Sequence, residues 1–133
     1  MSDSPQEFYG KMALREKPSG HNKSLGDLGE KQARRYLRRN GWKILEKNFK
    51  NPFGEVDVIA VKGGTVAFIE VKTRLSDGFG TPAEAVSEER KRRYISAAKY
   101  YFAGRATDCT VRFDIIEIFR GQLNHIENAF YAK

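Results

Sequence analysis

Three carboxylates and a lysine interrupt two runs of aliphatic residues. In GEVDVIA (residues 54–60) the acids Glu55 and Asp57 alternate with Val and Ile, and in FIEVKTR (residues 68–74) Glu70 precedes Lys72 by two positions. Carboxylates in such apolar company cost free energy unless a proton, a partner or a cation relieves them. Oxygen-only ligands suit a hard ion such as Mg²⁺ or Mn²⁺, which takes one or two protein carboxylates and completes its shell with water and phosphate oxygens. An ammonium beside that ion orients or helps deprotonate an attacking water and stabilises charge on the phosphate. The ion polarises the phosphoryl oxygen and lowers the pKa of a bound water.

The elements that must position these residues are legible. Gly63-Gly64 is a two-residue hairpin signal between strands expected over 55–62 and 65–73. A turn centred there sets Lys62 opposite Thr65, so facing residue numbers sum to 127. Asp57 then faces Glu70, and Glu55 faces Lys72. Side chains two apart on a strand share a face, so the spacing predicts all four on one side of the sheet. Facing β-carbons lie about 4.5–5.5 Å apart, close enough for the two acids to repel. An odd loop or a bulge would break this register. The E-x-K triplet alone is a weak signal, and either of Glu55 and Asp57 alone fits an edge-strand charge that blocks aggregation. The specific signal is the registered set of four.

A helix is expected from Ser24, read as a capping residue with Asp27 in the first turn, to the Asn40-Gly41 stop. Its apolar stripe is Leu25, Leu28, Ala33, Tyr36 and Leu37, and Lys31, Arg34, Arg35 and Arg38 lie opposite, with Arg39 at the margin. Glu30 falls at the border of the stripe, where it reads as a surface acid pairing with Arg34. A first strand covers Trp42 to Phe49. A second helix runs from about Ser87 to Ala103 with Tyr94, Ile95, Ala98, Tyr101 and Phe102 inward, and Thr110 to Phe119 forms a fourth strand. The segment NHIENAF closes the sheet edge. Residues 1–23, without apolar periodicity, read as a mobile tail before a single domain over 24–133. The loop from Leu75 to Pro82, with Gly78 and Gly80, is expected to cover the site, bringing Arg90 and Lys91 to the phosphates.

The chain of 133 residues carries 24 Lys and Arg against 17 Asp and Glu, a net charge of +7, which favours an anionic partner with nucleic acid first. Between Ser24 and Lys50 eight bases outnumber three acids, so +5 of that charge is concentrated there. Like charges so close repel one another, and a polyanion relieves them; the competing reading is a helix face kept soluble. A single cysteine, Cys109, excludes an internal disulfide and fits a reducing compartment. His21 and His125 are far apart, so no zinc cluster is expected. The sequence lacks G-x-x-x-x-G-K-[ST] and G-x-S-x-G, which argues against a phosphate-cradling ATP loop and an α/β-hydrolase elbow. With no long apolar run and no signal-peptide layout, the expected location is cytoplasmic, with no membrane contact.

GEVDVIA, with EVK beginning thirteen residues after Asp57, resembles the PD-(D/E)XK, restriction-endonuclease-like nuclease superfamily. The pieces GDLGEKQARRYL, NGWKILEKNF, GEVDVIA, FIEVKTR, GTPAEAV and RFDIIEI, in this order from about Ser24 to Phe130, are similar to the YraN-like family and through it to archaeal Holliday-junction resolvases. The resemblance implies an α/β fold with an αβββαβ core, a mixed β-sheet flanked by helices. It implies that Asp57 and Glu70 bind the metal, that Lys72 completes the catalytic set, and that Glu30 matches the acid on the first helix of resolvase-like proteins. Glu55 matches a position typical of the closer family, as an auxiliary. Val56 stands where the superfamily motif has Pro. The implied activity is a metal-dependent endonuclease, Mg²⁺ or Mn²⁺ its cofactor, acting on DNA, with branched or otherwise structured DNA as the substrate class. The alternative is a nucleic-acid-binding module that keeps the nuclease fold and cuts nothing. Lys31, Arg34, Arg35, Arg38, Arg74, Arg90 and Lys91 are the expected nucleic-acid contacts, and resolvase-like proteins suggest a homodimer.

Overall fold

The computed structural model describes residues 20–74, 86–103 and 108–130. Its elements are α1 (Gly20–Arg39), β1 (Lys43–Asn51), β2 (Gly54–Lys62), β3 (Thr65–Arg74), α2 (Glu88–Phe102), β4 (Thr110–Phe119) and β5 (Gln122–Phe130). The five strands form one sheet in chain order. Pairing is antiparallel except between β3 and β4, which run parallel with Thr65 beside Thr110 and Arg74 beside Phe119. The parallel pair requires a crossover, and α2 provides it. The αβββαβ core is therefore present, with β5 added at its edge.

The strand alternation of period 2 sorts the core into two layers. Ala67 and Ile69 join Val58, Ala60, Ile116 and Ile118 against Ala33 and Leu37 of α1 and against Trp42. Val66 and Phe68 join Ile59, Phe113 and Ile115 against Tyr94, Ala97 and Ala98 of α2. Each helix thus covers one face.

Two expectations about α1 are corrected. The helix begins at Gly20, four residues before the expected cap, so Ser24 and Asp27 lie inside it. The remainder of the expected tail, residues 1–19, lies outside the described residues. Leu28 is not on the buried stripe: it is 62% exposed, and among the described side chains of the helix, from Leu25 on, Gly29, Ala33 and Leu37 are the buried positions. Gly29 sits so close to β3 that an added β-carbon would lie 2.2 Å from Thr73 Oγ1. The contact helix to sheet is made where no side chain intervenes, and this rotates Leu28 outward. The helix stops as expected, with Gly41 at φ +89° and the Trp42 amide donating to the Leu37 carbonyl over 2.9 Å.

At α2, Ser87 is the cap, its hydroxyl accepting from the Arg90 amide at 3.1 Å. The edge segment foreseen in NHIENAF is a full strand, entered through Arg120 and Gly121 at φ +53° and +79°. Two consecutive positive φ values mark a tight hairpin turn. Among the described residues no helix is long and apolar enough to cross a membrane.

Candidate functional site

The hairpin follows the expected register from Lys62–Thr65 to Val58–Ile69 and then stops pairing. Beyond that point β2 pairs only with β1, and β3 only with β4. Asp57 and Glu70 stand one step past the last pair, and Glu55 and Lys72 further out, so they are not ladder partners. This corrects the facing geometry, and the local cause is visible. The Val71 amide, which would otherwise look for a β2 carbonyl, donates to Asp57 Oδ2 at 2.8 Å. The side chain has taken the place of the backbone acceptor, and the two strands part.

The opening is bridged from α2. The Tyr94 hydroxyl donates to Glu70 Oε1 at 2.7 Å, and the Asp57 amide points at the same hydroxyl at 3.4 Å. Arg90 Nη1 lies 2.8 Å from Glu70 Oε2. Glu70 is only 5% exposed, so these contacts carry most of its solvation. Arg90, expected to face phosphates, is therefore engaged with the site's own acid.

The site's electrostatics follow from burial and crowding. Asp57 is held well above the ordinary carboxylate range, first by burial, then by the charges of Glu70 and Glu30, against the Val71 hydrogen bond. Burial pushes Glu70 up to about 7, although the Tyr94 hydrogen bond and the Lys72 charge oppose it. Glu30 is also raised, by burial first and by Glu55 and Asp27, while its hydrogen bond from Asn48 Nδ2 at 2.9 Å works the other way. Glu30 comes from α1 on the other layer, yet its charge reaches both Asp57 and Glu70. Lys72 is exposed at the rim. Among the described residues no three His, Cys, Asp or Glu side chains form a ready metal-binding group. A shared ion would rest on the Asp57–Glu70 pair, with the remaining ligands from water or substrate.

The expected nucleic-acid residues divide. Lys31, Arg35 and Arg38 are exposed on α1, and Arg34 is half-buried, close enough to Glu30 to lower its pKa. Arg74 is turned inward, 2.7 Å from Glu117 Oε2 and 5.8 Å over the Phe119 ring. Lys91 pairs with Glu88 within α2 at 2.9 Å. The loop 75–82 expected to cover the site lies outside the described residues.

Sequence reasoning missed one network entirely. Asp114, fully buried, accepts from Arg112 Nε and Nη2 at 2.9 Å each and from the Asn128 amide at 2.9 Å. His125 Nε2 lies 2.7 Å from its Oδ2, and His125 Nδ1 lies 2.9 Å from the Tyr36 hydroxyl. Burial pushes Asp114 up, but the bonds from His125, Arg112 and Asn128 outweigh it and leave its pKa below the ordinary value. The chain Tyr36–His125–Asp114–Arg112 ties α1 to β4 and β5, with the Arg112 guanidinium 5.3 Å over the Trp42 ring. A buried acid in FDIIEI was the available signal, but its partner His125 becomes visible only once β5 is known to pair with β4.

Fold and site together define a mixed α/β protein with a cluster of acids, Glu70 buried and Asp57 half-buried, where its central hairpin opens. The chain belongs to the family described as "Uncharacterised protein family UPF0102", which it matches over residues 29–118. It is 48% identical over 107 residues to a UPF0102 protein of Thermodesulfovibrio yellowstonii, covering 80% of this chain and 96% of that protein. A UPF0102 protein of Clostridium perfringens is 41% identical over 117 residues (83% and 96% covered), and one of Clostridioides difficile is 43% identical over 113 residues (83% and 99% covered).

Proposed function

We propose that the protein is a metal-dependent endonuclease of the PD-(D/E)XK type, hydrolysing phosphodiester bonds in DNA, with branched or structured DNA as its substrate class. The observation that carries this reading is the convergence of Asp57 and Glu70, both with raised pKa, at the point where β2 and β3 part, with Lys72 at the rim. Acids that resist ionisation because they are withdrawn from water beside other acids gain from a divalent cation. The donor set therefore fits Mg²⁺ or Mn²⁺, held by Asp57 and Glu70, and such an ion supplies Lewis-acid polarisation of a phosphate and a more acidic water. Tyr94 and Arg90 fix the Glu70 carboxylate. Lys72 orients the attacking water or stabilises charge on the phosphate. Glu30 adds negative field from α1 and, through its hydrogen bond from Asn48, is itself held in place. Lys31, Arg35 and Arg38 supply phosphate contacts along α1.

One observation favours the second reading, a binding module that does not cut: Glu70 already has a cationic partner in Arg90. The two separate in one experiment. Linear, nicked, flapped and four-way DNA are incubated with Mn²⁺ and wild-type protein, Asp57→Asn or Lys72→Ala. Cleavage by wild type alone supports the endonuclease. DNA binding by all three without cleavage of any substrate leaves the binding module.

A further inference from the structure

Two large aromatic side chains stand at the surface beside the acid cluster. Phe53, in the turn between β1 and β2, is 39% exposed, and Tyr100 of α2 is 48% exposed. Single exposed apolar residues are ordinary. These two are in contact, their ring centroids 6.4 Å apart and nearly perpendicular, and Tyr100 continues to Phe49 at 6.3 Å. An edge-to-face pair cannot close all its ring surface against itself. The cleft beside them is lined by Phe53, Glu55, Arg90, Arg93, Tyr94 and Ala97. Of the aromatic pair Phe53 lines this cleft and Tyr100 stands behind it, and the cleft adjoins the candidate site through Arg90 and Tyr94, which both bond Glu70.

We infer that Phe53 and Tyr100 form a stacking platform for unpaired bases, and that the protein takes a single-stranded or splayed segment of nucleic acid at this side of its site. The inference rests on the nucleic-acid reading above and narrows its substrate. Aromatic faces bind bases of any sequence because every base has a π-face, and flanking cations take the phosphates. Paired bases in a duplex bury those faces, so only an unpaired strand can use such a platform. Arg93 and Arg90 flank the cleft. They pair with Glu89 and Glu70 in this structure, and a guanidinium with five donors can keep one carboxylate contact while meeting a phosphate. Arginines beside exposed rings suit a ligand that carries both phosphates and bare base faces.

The test compares three fluorescent ligands of equal length, about 12 nucleotides, within the range of one single-strand site. They are oligo(dT), an abasic strand with the same phosphates, and a duplex, each measured by anisotropy with EDTA present to prevent cleavage. Wild type is expected to bind oligo(dT) about tenfold or more tighter than the abasic strand. Phe53→Ala/Tyr100→Ala is expected to lose that difference while binding the abasic strand as wild type does. Phe53→Leu/Tyr100→Leu keeps apolar bulk and removes the π-faces, and gives the same result if the alanine pair fails to fold. Equal binding of oligo(dT) and the abasic strand by wild type, or unchanged oligo(dT) affinity in both double variants, overturns the platform and leaves the phosphate-binding reading standing. Absence of binding to all three ligands overturns both.

Discussion

The Val71 amide donates to the Asp57 carboxylate over 2.8 Å, replacing a backbone acceptor on the neighbouring strand. Asp57 therefore has two roles that substitution can separate, as a charge in the site and as an acceptor for β3. Asp57→Asn keeps an oxygen for the Val71 amide and removes a charge that burial and Glu70 disfavour. It is expected to leave the metal-free protein as stable as wild type or about 1 kcal/mol more stable. Asp57→Ala also strands the amide, and should be less stable than Asp57→Asn by about 1–3 kcal/mol. Urea unfolding in EDTA measures both. A large loss for Asp57→Asn would show that the charge itself holds the hairpin.

Glu70 gives the metal-free fold a pH dependence. Its pKa, about 7 when folded, lies above the ordinary 4.5. Between those values the folded state binds more protons than the unfolded state, so stability falls as pH rises through that window and levels off above it. Glu70→Gln should flatten the trend. Mg²⁺ or Mn²⁺ should raise the melting temperature of wild type more above this window than below it, since the cation displaces a proton. Parallel melting curves for wild type and Glu70→Gln across the window would mean that Arg90 keeps the carboxylate charged throughout.

Close approach of α1 to β3 makes another test. Gly29→Ala drives a β-carbon into Thr73 Oγ1, at an expected cost of about 1–3 kcal/mol despite alanine's better helix propensity. Thr73→Ala removes the clashing oxygen, which is buried without a hydrogen-bond partner among the described residues. The double variant should recover most of the loss. A double-mutant cycle by denaturant unfolding reports the coupling, and simple additivity would contradict the contact.

How much of this was legible in the sequence depends on how local the cause is. The Gly63-Gly64 turn fixed the register from Lys62–Thr65 to Val58–Ile69, and β4 has the expected bounds, because alternation and turn chemistry act within a few residues. The parting of β2 and β3 is a tertiary choice, made when the Asp57 side chain competes for the Val71 amide. Periodicity misplaced Leu28 because a helical wheel does not say which glycine will touch a sheet. Arg90 was legible as a cation and not as the partner of Glu70, twenty residues away. Tyr36, Asp114 and His125 come from three elements, and no spacing announces them.

Asp114→Asn tests that missed network. The change leaves Arg112 and His125 facing a neutral amide at a fully buried position, and breaking one partner of a buried pair costs about 3–5 kcal/mol. Because the Asp114 pKa is lowered, its contribution is present above the ordinary value of 3.8 and is lost as pH falls below it. The excess stability of wild type over Asp114→Asn, followed by urea unfolding, should therefore shrink in that acid range. Equal stabilities at neutral pH would show the network to be ornamental to the fold.

The basic charge of α1 predicts a salt dependence. If about five phosphates are neutralised by the cluster between Ser24 and Lys50, log affinity for duplex DNA should fall with log salt at a slope near −4 to −5. Arg35→Glu/Arg38→Glu, both exposed, should flatten that slope and shift the melting temperature by no more than a few degrees. A wild-type slope near zero would make the helix face a solubility device.

The only parallel pairing among the described residues, β3 with β4, bears on the order of folding. The three-strand meander β1–β2–β3 closes through short turns, while β3 meets β4 only after α2 and its flanking chain have been crossed. Contacts of such sequence separation form late, because the loop must close before they reward it. A meander closed before α2 docks would hold Asp57 and Glu70 close without Arg90 and Tyr94. On that order the crowded acids oppose the far end of the hairpin, and docking of α2 then supplies the bonds from Tyr94 and Arg90 that hold Glu70.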